Sequence, residues 1–359
     1  MKNVSSYLML LVAAALCLSC QDQHVRLHTI INEDGTCIRA VSYSNVMTQA
    51  QRDSAWGEGN ILWSQPMPEC LNINAFHDSH TDISEGDTVT TTFRHLFNNV
   101  EEMAEQMPLM LNGSKLKSRA QLQRRFRWFY TEYDFTETIA GLADAFPLPF
   151  ADAQLVSYWF TGEPNLIEGL TGAEAAERLS AMETKVTKWL NDNFCKIGLE
   201  FIASRYDSIP APPVSRERFV ELQDSLANYL MKDGADILLS NTESTALMRN
   251  FFHSDAYAPF FDDETPMGKE LNEELAQRLA IFALAVPYTL QMPGTVTDAG
   301  TGTLSPDGII HYPFTGERLI PHDYVIHATS RVSHPWAYAV ALLIILLAFG
   351  SFFYRKRTD

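Results

Sequence analysis

An α+β fold is predicted: a curved antiparallel sheet drawn from N- and C-terminal strands, a helical middle segment, and one C-terminal transmembrane helix. Three observations predict it. Residues 24–44 alternate apolar and polar around Asn32-Glu33-Asp34-Gly35, and β-prone runs return after Pro287. From about 150 to 285 the apolar period lengthens to three and four residues, which is helical. Trp336 to Tyr354 is apolar and carries no charge, about 28 Å of helix at 1.5 Å per residue.

Asp-Gly between β-prone runs is a hairpin signal, so Val25–Thr29 and Cys37–Tyr43 are expected to pair. Residues 45–86 read as irregular. Thr88–Phe97 reads as a strand and Asn99–Met107 as a short helix. In Gln121–Ile139 the apolar residues shift from even positions (Leu122, Phe126, Trp128, Tyr130) to odd ones (Phe129, Tyr133, Phe135, Ile139). A one-residue change of phase flips the buried face, so one long strand with a bulge near Trp128–Thr131 is expected.

In the helical middle, Thr171-Gly172-Ala173-Glu174 is a capping-box pattern ahead of an apolar stripe from Ala176 to Ile197. Phe219, Leu222, Leu226 and Tyr229 repeat the stripe, Leu247–Phe252 suggests a further short helix, and Thr265-Pro266 opens another. Tyr288–Thr297, Ile309–Phe314 and Tyr324–Val332 then read as strands. The expected organisation is a signal peptide at 1–19, β-rich segments at 20–149 and 286–335 around the helical segment 150–285, the membrane span at 336–354, and a basic tail at 355–359.

The ends set the expected location. Lys2 precedes a short apolar core, Tyr7–Leu18, the layout of an export signal. Trp336, Tyr338 and Tyr354 sit at the edges of the C-terminal apolar run, where amphipathic rings favour a membrane interface, and Arg355, Lys356 and Arg357 are expected on the cytoplasmic side. The predicted home is the bacterial inner membrane, with the main body outside the cytoplasm.

The chain has 44 acidic and 27 basic residues and a net charge of −17, against the basic footprint of nucleic-acid binding. Among the five cysteines, Cys37 and Cys70 are candidates for a bridge, and Cys195 lies in a helical pattern as a small apolar residue. No nucleophile elbow, P-loop or dinucleotide fingerprint occurs, and no cofactor is expected. His77, Asp78 and His80 form the densest group of possible metal ligands, but they lack a third ligand at a familiar spacing and read first as a polar loop. His253-Ser254-Asp255 with Asp262-Asp263-Glu264 is a weaker group of the same kind.

Lys115, Lys117, Arg119, Arg124, Arg125 and Arg127 form a basic stretch without an acid, running into Trp128, Phe129 and Tyr130. In an acidic chain this pairing suits anionic lipid headgroups, at about 1 kcal/mol per charge near the surface. The competing reading is a strand edge protected by charge.

Leu16-Cys17-Leu18-Ser19-Cys20 resembles a bacterial lipoprotein box, which implies lipidation at Cys20; Cys17 stands where Leu is usual and Leu18 where a small residue is usual. Met292-Pro293-Gly294-Thr295-Val296-Thr297-Asp298, followed by strands, Thr329-Ser330-Arg331 and the apolar segment, resembles LppM-type envelope lipoproteins. Phe126–Thr131 and Trp159-Phe160-Thr161-Gly162 are similar to segments of uncharacterised bacterial lipoproteins. The resemblance covers about a quarter of the chain. It implies a sheet-based domain for binding lipid or an envelope partner protein. A structural subunit of a membrane complex and a metal-dependent hydrolase are the alternatives.

Overall fold

The computed structural model describes residues 24–46, 79–85, 88–111, 113–150, 152–230 and 241–355. It divides into two compact units. The described residues of Ser19–Ala140, Ala285–Thr315 and Tyr324–Asp359 form one, a two-sheet sandwich; Gly141–Leu284 with Gly316–Asp323 forms the other, which is helical.

In the sandwich unit, β1 (His24–Ile31) and β2 (Cys37–Val46) pair as the Asp-Gly turn predicts, closed by Gly35 N–H donating to Asn32 O at 3.1 Å. Gly35 has φ +96, a conformation glycine adopts without strain. The larger sheet adds β3 (Ser79–Glu85), β4 (Thr88–Phe97), β9 (Tyr288–Gln291), β11 (Thr303–Leu304) and β12 (Ile309–Tyr312), in the order β11-β12-β9-β1-β2-β4-β3. Strand β9 lies parallel to β1, and the other pairs are antiparallel.

The smaller sheet has the order β10-β13-β8-β7, from β7 (Ser118–Phe126), β8 (Tyr130–Ile139), β10 (Thr295–Asp298) and β13 (Tyr324–Ser333). The alternation predicted from sequence holds on β8, where Tyr133, Phe135 and Ile139 are buried. They face a core that includes Leu27, Val41, Tyr43, Phe93 and Leu290 from the larger sheet. A short helix, α1 (Val100–Gln106), capped by Asn99 accepting from Glu102 N–H at 2.8 Å, packs on β7. A minimal ribbon, β5 (Met110–Leu111) with β6 (Ser114–Lys115), follows it.

The helical unit contains α2 (Ala153–Thr161), α3 (Gly172–Ser204), α4 (Arg216–Leu230), α5 (Asn241–Phe252) and α6 (Pro266–Ala283). The Thr171–Glu174 capping box forms in both directions at the start of α3, and Thr265 caps α6 at Gly268 N–H, 3.0 Å away. The apolar stripes of α3, α4 and α6 meet at Leu199, Ile202, Phe219, Leu226 and Leu271.

Three expectations are corrected. The strand-like segment 121–139 is not one bulged strand: β7 and β8 form a hairpin, and the change of phase marks a reversal of the chain. The N- and C-terminal strands form two sheets rather than one curved sheet. Met292-Pro293-Gly294 separates β9 from β10, which join different sheets.

The predicted C-terminal transmembrane helix is the third. A helix, α7 (Pro335–Arg355), does form there. Among the described residues, however, no helix is long and apolar enough to cross a membrane.

Candidate lipid-contact site

The β7–β8 connection places an aromatic cluster against the start of α7. Arg127 N–H donates to Tyr130 O at 2.8 Å, and Tyr130 N–H returns to Arg127 O at 3.3 Å, so Trp128 and Phe129 alone form the loop. Neither has a positive φ. Side chains at a two-residue tip project away from the sheet, and here they are large and apolar: Phe126, Trp128 and Phe129 are 63%, 51% and 39% exposed.

Strand β13 runs beside β8, with Ser333 opposite Tyr130, and delivers the chain into α7 next to this tip. His334 joins the two elements. Its backbone N–H donates to Phe129 O at 2.8 Å. Its Nδ1 lies 3.3 Å from Trp128 O and its Nε2 lies 3.0 Å from Thr131 Oγ1. A carbonyl only accepts, so Nδ1–H donates to Trp128 O, and the Thr131 hydroxyl, which can donate or accept, meets Nε2. The imidazole stacks on Phe126 at 5.1 Å and on Trp336 at 5.7 Å. Trp128 meets Trp336 edge-on at 5.3 Å, and Phe129 meets Tyr338 at 5.0 Å. Trp336 and Tyr338 remain about half exposed, at 49% and 54%. Six rings from two elements thus form one supported patch that still faces outward.

The basic stretch separates on the strand. Arg119 stands about 26 Å along β7 from Arg127 at roughly 3.3 Å per residue. Lys115, Lys117 and Arg119 are exposed but belong to the far end. Arg124 points to the β1–β2 turn, donating to Asp34 O at 2.8 Å and lying over the Tyr133 ring at 5.6 Å. Hydrogen bonds from Thr36, with a smaller contribution from Arg124, hold the Asp34 carboxyl below the usual carboxylate range. Arg125 and Arg127 are the cations at the tip. Arg125 is steadied by Gln123 Oε1 at 2.6 Å and stands opposite Glu132, whose carboxylate is taken by Arg331 at 3.0 Å. Of the predicted interface residues, then, the fold brings together Arg125, Arg127 and Trp128 with the predicted anchor residues Trp336 and Tyr338. It includes Phe129 from the same aromatic run and adds Phe126 and His334, and no motif signalled the role of His334.

Beyond the tip, α7 is apolar on every side: Val340, Leu342, Leu343, Ile344, Ile345, Leu346, Leu347 and Phe349 are all exposed. A surface helix of a globular protein usually shows one apolar stripe, and an all-round apolar surface of this size is the kind that marks an interaction site. The side chains of Tyr354 and Arg355 and all of Lys356 and Arg357 lie outside the described residues, as does Cys20.

No protein-family model, curated protein or solved structure matches the chain, so the LppM-type likeness rests on the residues quoted for it alone.

Other candidate chemistry is sparse. Among the described residues no group of three potential ligands could hold a metal. His77 and Asp78 lie outside the described residues; His80 falls on β3, its side chain undescribed. Asp255 pairs with Arg249, and Asp263 accepts from Asn272 at 2.6 Å. Cys37 is a free buried thiol donating to Asn99 O at 3.4 Å, and Cys70 lies outside the described residues. Burial pushes the Cys37 and Cys195 thiols up to about 12, which makes both poor nucleophiles. A cavity of about 60 Å³ beside Cys195 is lined mainly by apolar side chains such as Leu199, Met248 and Leu271.

Proposed function

We propose that this is an envelope lipoprotein, exported by its N-terminal signal and lipidated at Cys20, whose sandwich unit docks on an anionic lipid surface through the β7–β8 tip and the first turn of α7. The observation that carries the reading is the exposed ring cluster of Phe126, Trp128, Phe129, His334, Trp336 and Tyr338 beside Arg125 and Arg127. Amphipathic rings favour the headgroup layer, and each nearby cation adds about 1 kcal/mol toward anionic lipid. The tip projects beyond the sheet while His334 fixes its angle, so the rings meet a lipid surface already ordered. The binding role is one of positioning: it holds the sandwich at a fixed distance from the lipid.

The test uses the full chain bound to vesicles that carry a spin label in the headgroup. The part of the tryptophan fluorescence that disappears in Trp128→Phe belongs to Trp128. That part is expected to be quenched by the label, and an unquenched Trp128 places the tip away from lipid and ends the proposal. Arg125→Gln with Arg127→Gln should lower the preference for phosphatidylglycerol over phosphatidylcholine vesicles by roughly tenfold or more. Partitioning of α7 itself is common to both proteins and cancels in that ratio.

The apolar surface of α7 favours a second reading, a structural subunit covered by partner helices. Crosslinking from Leu343 to a single protein, together with an unquenched Trp128, would select it.

A further inference from the structure

The outward face of the larger sheet gathers cations that the acidic composition does not lead one to expect. Register fixes the arrangement. His311, Thr289, His28, Ala40 and Arg94 lie in one row across β12, β9, β1, β2 and β4. Arg26, Ser42 and Thr92 form the next row on β1, β2 and β4. Buried Leu27, Thr29, Arg39, Val41 and Phe93 alternate with these residues, so the two rows share the opposite, outward face. In a chain of net charge −17, no carboxylate occupies either row, and Arg26, Arg94 and His311 are exposed. Among the described residues, neither Arg26 nor Arg94 has an ion-pair partner. The Ser305 hydrogen bond, and to a lesser degree His311, hold the Asp307 carboxyl below its usual range.

The middle of the two rows is built to receive an acceptor. Ala40 lies between His28 and Arg94, whose strands are roughly 10 Å apart. Ala40 is itself covered, at 5% exposure, and forms the floor between a basic group on either side. Ser42 Oγ and Thr92 Oγ1 are 2.8 Å apart beside it. One hydroxyl donates to the other, which leaves one hydroxyl hydrogen free to point outward. His28 is oriented as well. Its Nδ1 is 2.7 Å from Thr289 Oγ1, and that hydroxyl donates to Leu27 O at 3.2 Å. Thr289 must therefore accept, so Nδ1–H of His28 donates to it and Nε2 is left for a ligand. Burial first, then Arg94 and His311, lowers the His28 pKa, so the ring is neutral near pH 7 and an arriving anion would have to bring a proton to Nε2.

We infer that Arg26, His28, Arg94 and the Ser42–Thr92 hydroxyl pair form a binding site for a phosphoryl group. Two guanidinium forks, a protonable imidazole and a free hydroxyl match the several acceptor oxygens of a phosphate better than the two of a carboxylate. The site is on a different face from the residues at the tip and does not depend on the lipid-docking proposal.

Inorganic phosphate is the first probe, titrated into the full chain with side-chain labelled histidine. The His28 resonances should move with phosphate, the pKa of its ring should rise, and affinity should increase as pH falls from 7 to 6. Arg94→Gln and Arg26→Gln should each weaken phosphate at least about tenfold, the loss of a charge-assisted fork. Quenching of Trp128 by labelled lipid should be unchanged in both, which separates this site from the tip. Glycerophosphoglycerol, the headgroup of phosphatidylglycerol without its acyl chains, distinguishes the source: binding tighter than phosphate assigns the site to lipid headgroups, and weaker binding assigns it to free phosphate or a phosphomonoester. His28 resonances that ignore phosphate, or equal affinities in the wild type and Arg94→Gln, would overturn the inference.

Discussion

Glu137→Ala is expected to destabilise the sandwich unit by about 3–5 kcal/mol, the cost of leaving a buried charge without its counter-ion. Glu137 on β8 and Arg39 on β2 join the two sheets through a contact of 2.6 Å, with side chains 3% and 1% exposed. Arg39 also donates to Thr29 Oγ1 at 3.3 Å and to Met107 O at 3.2 Å, and Ser118 donates to Glu137 at 3.2 Å. Tyr288 on β9 completes the network, its hydroxyl 2.8 Å from both Glu137 and Thr29. That phenol has one proton. Glu137 is the partner that only accepts, so Tyr288 donates there and Thr29 turns its own hydrogen to Tyr288. Burial, then the Glu137 charge, pushes the Tyr288 pKa well above its ordinary value, so the phenol remains a donor. Burial works to lower the Arg39 pKa, but the Glu137 carboxylate and Tyr288 outweigh it and raise it. Removing Glu137 takes away that support, but a guanidinium is not deprotonated in proteins, so the buried charge stays. Hydrogen exchange in β1, β2 and β8 should speed up by the equivalent of the lost free energy, while exchange in α3 stays as it was. The double change Arg39→Met with Glu137→Leu should cost far less than Glu137→Ala, since no charge is left behind. Equal costs would mean that the pair does not act as a unit.

The same network shows where reading the sequence stops. The hairpin at Asn32–Gly35, the Thr171–Glu174 box and the Thr265 cap are local, and each is written in adjacent residues with a known geometric role. Arg39 lies in the alternation Cys37, Arg39, Val41, Tyr43, which puts it on the inward face, but its partner is 98 positions away. Nothing local identifies Glu137 as that partner. The reversal at Trp128-Phe129 was visible only as a change of phase, because the loop lacks the Gly, Asn or Asp that marks most two-residue turns. Tyr288–Thr297 reads as one strand although it contains Pro293-Gly294, and Gly294 has φ +74 with Arg331 O too close for a Cβ. That β9 and β10 then enter different sheets depends on pairing with β1 and β13, which is non-local. Gly316–Asp323 joins the helical unit for the same reason. For the lipid-contact site, the basic and aromatic residues were legible as composition. Their division into a tip group and a distant group required the strand, and the role of His334 required the packing of α7 beside the loop.

Phe219→Ala should produce a loss of similar size confined to the helical unit, about 3–5 kcal/mol from lost burial and the cavity left behind. Phe219 on α4 is fully buried, at 0% exposure. Its ring lies 5.3 Å from Tyr206, 5.4 Å from Tyr257 and 5.8 Å from Phe252 in a stacked pair. These neighbours cannot collapse freely into the space. Tyr206 and Tyr257 are held with their hydroxyls 2.9 Å apart, and Tyr206 lies 2.7 Å from Val214 O. The carbonyl only accepts, so Tyr206 donates to it and Tyr257 must donate to Tyr206; the pair therefore has one workable orientation. Burial raises the Tyr257 pKa and keeps that donor protonated. Movement of either ring into the cavity would break this chain and strand a buried hydroxyl, so relaxation is opposed and the cost falls toward the upper part of the range. Val220→Ala one position along α4 is the control, since Val220 is 49% exposed and should change stability by less than about 0.5 kcal/mol. Exchange of α3, α4 and α5 should speed up in Phe219→Ala, with β8 unaffected, the mirror image of the Glu137 result. If β8 loosened together with the helices, the two units would unfold as one, and the aromatic core of the helical unit would be supporting the sandwich as well as itself.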